Sequence, residues 1–280
     1  MGTQSNQYLE NITKLEKILK LLSLNKKLSL VTGANGKLGR VFCDTLSQLG
    51  SDLIIVDRNY KEINAQKSKI SKKYKNKIYA FDCNFEDLNE RKYLIKECKK
   101  FKKLDLLINN AAFVGENDLL GWNTNFSNQN LKTWERCMNV NLTSIFDLTK
   151  NLIPILKKSK DGNIINICSI YALHGPDWKM YKDTTLGNPA AYAVSKAGLL
   201  HFTKWLACTL APTIRVNSIS PGGLKRNQSD KFVKAYTNKT LLNRMACEKD
   251  LIGALIFLAT NMSNYITGQN ISVDGGWGIN

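Results

Sequence analysis

The chain has 280 residues, 43% hydrophobic and 9% aromatic, with 40 Lys and Arg against 23 Asp and Glu for a formal charge of +17. That size and balance suit a soluble globular protein with one large core, and no apolar run approaches the roughly 18–20 residues of a membrane span. Seven scattered cysteines never form Cys-x-x-Cys, and only two histidines, His174 and His201, accompany them, which excludes a metal constellation and fits reduced thiols in a cytoplasmic protein.

Residues 1–26 read as an N-terminal extension. Ile12, Leu15, Leu19 and Leu22 recur at helical spacing, with Lys14, Lys17 and Lys20 on other faces, which predicts an amphipathic helix packed on the body or on a partner subunit rather than a membrane anchor. Residues 27–280 read as a single domain in which short apolar runs alternate with longer helical ones. Leu28–Thr32, Leu53–Asp57, Ile78–Phe81, Leu104–Asn109, Asn163–Cys168, Ile214–Ile219 and Asn270–Val273 are the predicted strands; 38–49, 60–74, 87–101, 129–158, 191–210 and 247–260 are the predicted helices. This alternation implies right-handed βαβ units: an α/β fold with a doubly wound, Rossmann-type parallel sheet of about seven strands and helices on both faces. The lysines fall on several of these helices, without an arginine-rich strip or interleaved aromatics. The charge therefore reads as solvated helix faces, with an anionic small molecule as the alternative partner and no nucleic-acid face.

The residues that carry chemistry stand at strand ends, where such sheets bind ligands. The first strand runs into Thr32-Gly33-Ala34-Asn35-Gly36-Lys37-Leu38-Gly39. A glycine turn between strand and helix lets a pyrophosphate approach backbone amides and the positive helix terminus. Asp57 ends the second strand, where a carboxylate can accept hydrogen bonds from adenosine ribose hydroxyls and repel a 2′-phosphate, favouring NAD. Lys37 and Arg58 could instead attract that phosphate, so NADP stays open, and Asp57 can also be read as a turn cap. Tyr192 and Lys196, four apart on a predicted helix, share a face. An ammonium there would favour the phenolate, lower the tyrosine pKa from about 10, and let it exchange a proton with a carbinol oxygen. Taken alone, one such pair is expected by chance among ten tyrosines and many lysines.

Together these segments resemble the short-chain dehydrogenase/reductase family over residues 27–280. The family's adenine-contacting Asp matches Asp82, followed by Cys83; its sheet-steadying Asn-Asn-Ala-Gly matches Asn109-Asn110-Ala111-Ala112. Its catalytic Asn, Ser, Tyr and Lys match Asn141, Ser169, Tyr192 and Lys196. Pro221-Gly222 matches the turn beside the nicotinamide, and Val273-Asp274-Gly275-Gly276 matches the family's C-terminal signature. The resemblance implies that Tyr192 moves the proton, Lys196 lowers the Tyr192 pKa and holds the nicotinamide ribose, Ser169 hydrogen-bonds the substrate oxygen, and Asn141 positions a relay water. It implies NAD(P) contacts from Gly33, Asn35, Lys37, Leu38, Gly39, Asp57, Arg58, Asp82, Cys83, Asn109, Ala111, Tyr192, Lys196, Pro221, Gly222 and the backbone of Leu224. Homodimers or homotetramers are common in the family.

Three departures bear on specificity. Gly33, Gly36 and Gly39 are spaced as in the extended branch of nucleotide-sugar epimerases, although the Asp274-Gly275-Gly276 ending sides with the single-domain branch. Lys225 and Arg226 stand where the family often has a threonine after the Pro-Gly turn. Ser169 and Tyr192 are separated by about ten residues more than is common, through Gly175–Thr185. That insertion should border the substrate, with Trp178 or Tyr181 stacking on a sugar and Lys179 or Lys182 meeting an anionic group, or else form a solvent loop. The insertion, Pro221-Gly222-Gly223 and the Tyr265–Trp277 ending resemble bacterial flagellin-modification and nonulosonate sugar-cluster members. The implied activity is alcohol–ketone interconversion on a sugar phosphate or nucleotide sugar; a 3-oxoacyl thioester reductase, a nucleotide-sugar epimerase and a non-catalytic dinucleotide-binding regulator are the alternatives.

Overall fold

The computed structural model describes residues 15–115, 119–182, 184 and 187–280. Its centre is a sheet of seven parallel strands: β1 (Leu28–Thr32), β2 (Asp52–Asp57), β3 (Ile78–Asp82), β4 (Leu106–Asn109), β5 (Gly162–Ile167), β6 (Ile214–Pro221) and β7 (Asn270–Val273), ordered β3-β2-β1-β4-β5-β6-β7. The order reverses between β1 and β4, where Leu30 lies beside Leu107. That reversal opens the crevice in which doubly wound sheets take their ligands.

Alternation along the strands places each residue on one face or the other. Leu30, Ile54, Val56 and Ile164 bury one face against α4 (Leu88–Cys98), α6 (Ser144–Leu156) and α7 (Ala190–Leu210). Val31, Leu53, Ile55 and Ile165 bury the other against α2 (Lys37–Gln48), α3 (Tyr60–Lys73) and α9 (Ile252–Ala259). Two covered faces explain why the strands read as unbroken apolar runs.

The helix expected over 129–158 is two helices. α5 (Leu131–Met138) ends in a π-turn over Asn139–Thr143 before α6 begins. The stretch expected as helix over 247–260 starts as a 3-10 turn, Glu248–Leu251. One helix was not anticipated, α8 (Asp230–Lys239), capped by Ser229 and anchored by buried Phe232 and Tyr236. Residues 15–22 are helical (α1), as the spacing suggests. Leu15 and Leu19 are 57% and 54% exposed, so their apolar stripe does not pack on the body; Ile12 lies outside the described residues.

Candidate active site

β1 and α2 meet at the glycine turn. Gly33 has a φ of +64°, and a Cβ there would lie 2.8 Å from the Ala111 Cα; a Cβ on Gly39 would lie 2.1 Å from the Gly33 carbonyl oxygen. Both positions need glycine for the turn to close against its neighbours. Asp57 holds the same turn from β2, its Oδ2 accepting from the Asn35 amide at 2.8 Å and its Oδ1 from the Arg58 amide at 2.8 Å. The Asn110 amide Nδ2 donates to the carbonyls of Thr32 and Gly33 at 2.9 and 3.0 Å, pinning β4 beneath it.

A groove of about 600 Å³ opens above this crevice, lined by Gly33, Lys37, Leu38, Gly39, Asp57, Arg58, Cys83 and Ala111 among the anticipated residues. Its size and the backbone cradle fit a dinucleotide. So does the Asn35 side chain, whose buried Oδ1 and Nδ2 have no hydrogen-bond partner and are free for a ligand hydroxyl or phosphate. Asp82 is exposed and does not line the groove. Asn109 is buried below it, donating to Asn166 Oδ1 at 2.8 Å, while Asn166 donates to Thr203 at 2.8 Å; its place is in the sheet's polar seam rather than against a ligand. Pro221 ends β6 and Gly222 and Leu224 follow it, all outside the lining, and the Gly222 amide is taken by the Val273 carbonyl at 3.0 Å.

Residues that the sequence did not single out complete the groove. The Arg136 guanidinium on α5 donates to both Glu86 oxygens at 2.7 and 2.9 Å and stands 5.0 Å from the Phe113 ring centre. That contact holds the Glu86 carboxyl below its usual pKa. Arg226, at the position where the family often has threonine, also lines the groove and is ion-paired with Glu248. Glu86 and Arg136 lie 50 residues apart, so spacing carried no signal for their pairing.

Beyond β5, Ser169, Tyr192 and Lys196 come together. Lys196 is buried and donates from Nζ to the Ile167 carbonyl at 2.8 Å. Its Nζ lies 5.9 Å from the Tyr192 ring centre. Burial pushes the Tyr192 phenol up to about 12, with the Ser169 hydroxyl beside it pulling the other way. The lowering expected from the Lys196 ammonium is not found: loss of solvation dominates the phenol's environment. Burial also lowers the Lys196 pKa. An ammonium has three donors, so two remain for a ligand.

Asn141 sits in the π-turn, fully buried. Its Oδ1 accepts from the Phe113 amide at 2.6 Å, and its Nδ2 donates to the Phe113 carbonyl and to Ser195 Oγ at 3.1 Å each. The side chain is committed to bracing the segment that leaves β4 against α7.

None of the described residues of the insertion lines the groove. Residues Trp178–Tyr181 form a 3-10 turn that docks on α8: Met180 is buried with Phe232, Tyr236 and Trp277, and Asp177 bonds Lys239 at 3.0 Å. Trp178, Lys179 and Lys182 are exposed, whereas the Tyr181 hydroxyl bonds that of Tyr171. Asp183 and Thr185 of the insertion lie outside the described residues.

This sheet order, with a glycine cradle and a Ser-Tyr-Lys cluster at its carboxyl edge, defines a dinucleotide-binding α/β oxidoreductase fold. A family model described as "Enoyl-(Acyl carrier protein) reductase" matches residues 33–278. The chain belongs to the short-chain dehydrogenase/reductase family. It is 28% identical to post-translational flagellin modification protein A of Campylobacter coli, over 91% of this chain and 100% of that protein. It is 34% identical to the 3-oxoacyl-[acyl-carrier-protein] reductase FabG of Buchnera aphidicola, over 91% and 98%. A short-chain dehydrogenase from Leptospira borgpetersenii solved with bound NAD⁺ superposes with a TM-score of 0.78 at 32% identity, covering 92% of this chain and 94% of that one.

Proposed function

We propose that this protein is an NAD(P)-dependent enzyme interconverting a secondary alcohol and a ketone on a sugar phosphate or nucleotide sugar, in surface-glycan or flagellin-glycan biosynthesis. The observation that carries the chemistry is the Ser169, Tyr192 and Lys196 cluster at the carboxyl end of β5, next to the dinucleotide groove. Bound nicotinamide would supply or accept the hydride. Tyr192 gives its phenolic proton to the carbonyl oxygen in reduction and takes one back in oxidation. Ser169 hydrogen-bonds the same oxygen as charge develops there. Lys196, with one N–H given to the Ile167 carbonyl, would offer its other two to the nicotinamide ribose. Asn141 contributes by fixing Phe113 and Ser195 around the cluster. The turn held by Asp57 suits the adenosine ribose of NAD, while Lys37 and Arg58 in the same groove suit the 2′-phosphate of NADP.

Support for a sugar comes from the flagellin modification protein, which this chain matches across that protein's whole length. The FabG relatives, at up to 34% identity, favour a second reading, reduction of a 3-oxoacyl thioester. We place the enzyme in the cytoplasm as a homodimer or homotetramer acting on an anionic small molecule, without nucleic-acid or membrane partners; no described helix is long and apolar enough to cross a membrane. Purified protein supplied with NAD(H) or NADP(H) is to be screened against ketose phosphates, nucleotide sugars and acetoacetyl-coenzyme A, following the reduced cofactor by absorbance. Turnover of the sugars at tenfold or more higher kcat/KM supports the first reading; turnover of the thioester alone selects the second.

A further inference from the structure

The lining of the dinucleotide groove comes from the ends of β1 to β4, from α5 and from the π-turn, with one exception among the described residues. Arg226, in the segment that follows β6, lines the same groove as Gly33, Gly36 and Lys37. Its backbone is stapled in place. The Lys225 amide donates to the Ala246 carbonyl at 2.8 Å, the Ala246 amide to the Gly223 carbonyl at 3.1 Å, and the Arg226 amide to Gln228 Oε1 at 2.6 Å. The 3-10 turn Glu248–Leu251 packs on α2. Leu251 is buried there in the apolar cluster that Leu224 and Leu38, of the first turn of α2, flank. Glu248 opens that turn and ion-pairs with Nη1 of Arg226, which sets the guanidinium on the α2 side of the groove.

Donors on this side exceed the acceptors offered to them. α2 begins at Lys37 with no side-chain cap and no acidic residue in its first turn, so its orphan amides and positive end carry no counter-charge of their own. Arg226 uses only Nη1, toward Glu248 and toward the Lys225 carbonyl at 3.4 Å. Its Nε and Nη2 make no hydrogen bond among the described residues, which leaves the rest of a planar five-donor fork for a ligand. The side chain is 29% exposed, so these donors are partly withdrawn from water. Neither carboxylate of the lining competes for them: Asp57 accepts from the Asn35 and Arg58 amides, and Glu86 from Arg136. A guanidinium fork beside an uncapped helix start matches a phosphate group. Adenine and ribose offer it no charge. Asp57 and Arg58 mark the adenosine ribose end at β2, whereas Arg226 arrives from the β6 side, which suits the diphosphate bridge rather than a 2′-phosphate.

Resting on the NAD(P) reading of this groove, we propose that Arg226 binds the cofactor's diphosphate together with the start of α2, while Glu248 holds one corner of the guanidinium. The dinucleotide is then gripped from both halves of the sheet, by the glycine turn after β1 and by a side chain delivered from beyond β6.

The test is calorimetric measurement of Kd for ADP-ribose, NAD⁺ and NADP⁺ with the full-length wild type, Arg226→Gln, Arg226→Lys and Glu248→Gln, with thermal unfolding as the check on the fold. Loss of a charge-assisted hydrogen bond corresponds to about a 10–100-fold change. Arg226→Gln should weaken all three ligands by about that factor, and Arg226→Lys by less, since the charge remains without the fork. Glu248→Gln removes the counter-charge yet keeps an acceptor for the guanidinium, so it should bind as tightly as the wild type or more tightly. Equal weakening in Arg226→Gln and Glu248→Gln would assign the ion pair to packing and overturn the proposal. A loss confined to NADP⁺ would also overturn it by placing Arg226 on the 2′-phosphate, as would unchanged Kd for all three ligands. Each of these results leaves the NAD(P) reading standing. A wild type that binds none of the three ligands overturns both together.

Discussion

Lys196 donates from Nζ to the carbonyl of Ile167 at 2.8 Å, so the ammonium of α7 is tied to the end of the strand that delivers Ser169 two residues later. No carboxylate contributes to its environment, and burial lowers its pKa. A buried unpaired charge is a stability cost, so Lys196→Met should unfold later than the wild type by about 1–2 kcal/mol at neutral pH while losing turnover. The folded pKa lies below the ordinary 10.5, so between the two values the unfolded chain binds more protons and wild-type stability rises with pH. The variant's advantage should shrink as pH approaches the ordinary lysine value. Urea denaturation of both proteins across that range checks this; an advantage independent of pH would count against it.

Tyr192→Phe should reduce kcat by about 10²–10⁴-fold and leave cofactor affinity nearly unchanged. In the cofactor-free protein the phenol is raised to about 12 by burial. A difference ultraviolet titration between wild type and variant should therefore show the Tyr192 phenolate appearing only well above the ordinary value of 10. Over that interval the unfolded chain gives up the proton first, so this residue's contribution to stability falls with rising pH. A phenolate step near neutrality in the cofactor-free protein would contradict the burial argument.

Asn141→Ala removes the partners of the Phe113 amide and carbonyl and of Ser195. Leaving such groups unpaired should cost about 2–3 kcal/mol. Because Phe113 and Arg136 line the groove, cofactor affinity should weaken along with kcat. Calorimetric unfolding and a cofactor titration on the same sample measure both; a variant with lowered kcat and unchanged stability would confine Asn141 to the chemistry.

Asp57→Ser should shift the ratio of kcat/KM for NAD over NADP toward NADP by about tenfold, because Lys37 and Arg58 line the same groove without the opposing carboxylate. Some stability should be lost as well, since both Asp57 oxygens hold turn amides. A ratio that did not move would place the 2′-phosphate elsewhere.

Much of this was readable in the chain because the signals are local. Buried parallel strands announce themselves as apolar runs, and all of β1–β7 fall within two residues of the predicted bounds at each end. Asp230–Lys239 was not readable, because a helix with only Phe232 and Tyr236 buried has almost no apolar stripe. The glycine turn, Asp57 and the Ser-Tyr-Lys cluster declared themselves by residue type and order. Three features did not: the Glu86–Arg136 pair, the docking of the insertion on α8 and the raised pKa of Tyr192. Each depends on what the fold brings near, and each is set by tertiary contact rather than by spacing.

The π-turn at Asn139–Thr143 is a phase shifter. One additional residue per turn re-times the helical repeat, so α5 and α6 present their apolar faces on different clocks: Cys137 toward α7, then Leu148 and Leu152 toward the sheet. Asn141 occupies the offset between them. Deleting a single residue there would let the two helices fuse in step, swinging the asparagine about 100° around the axis. The architecture would survive such a deletion more readily than the site, which makes this turn a place where function can be lost by an error of counting rather than of chemistry.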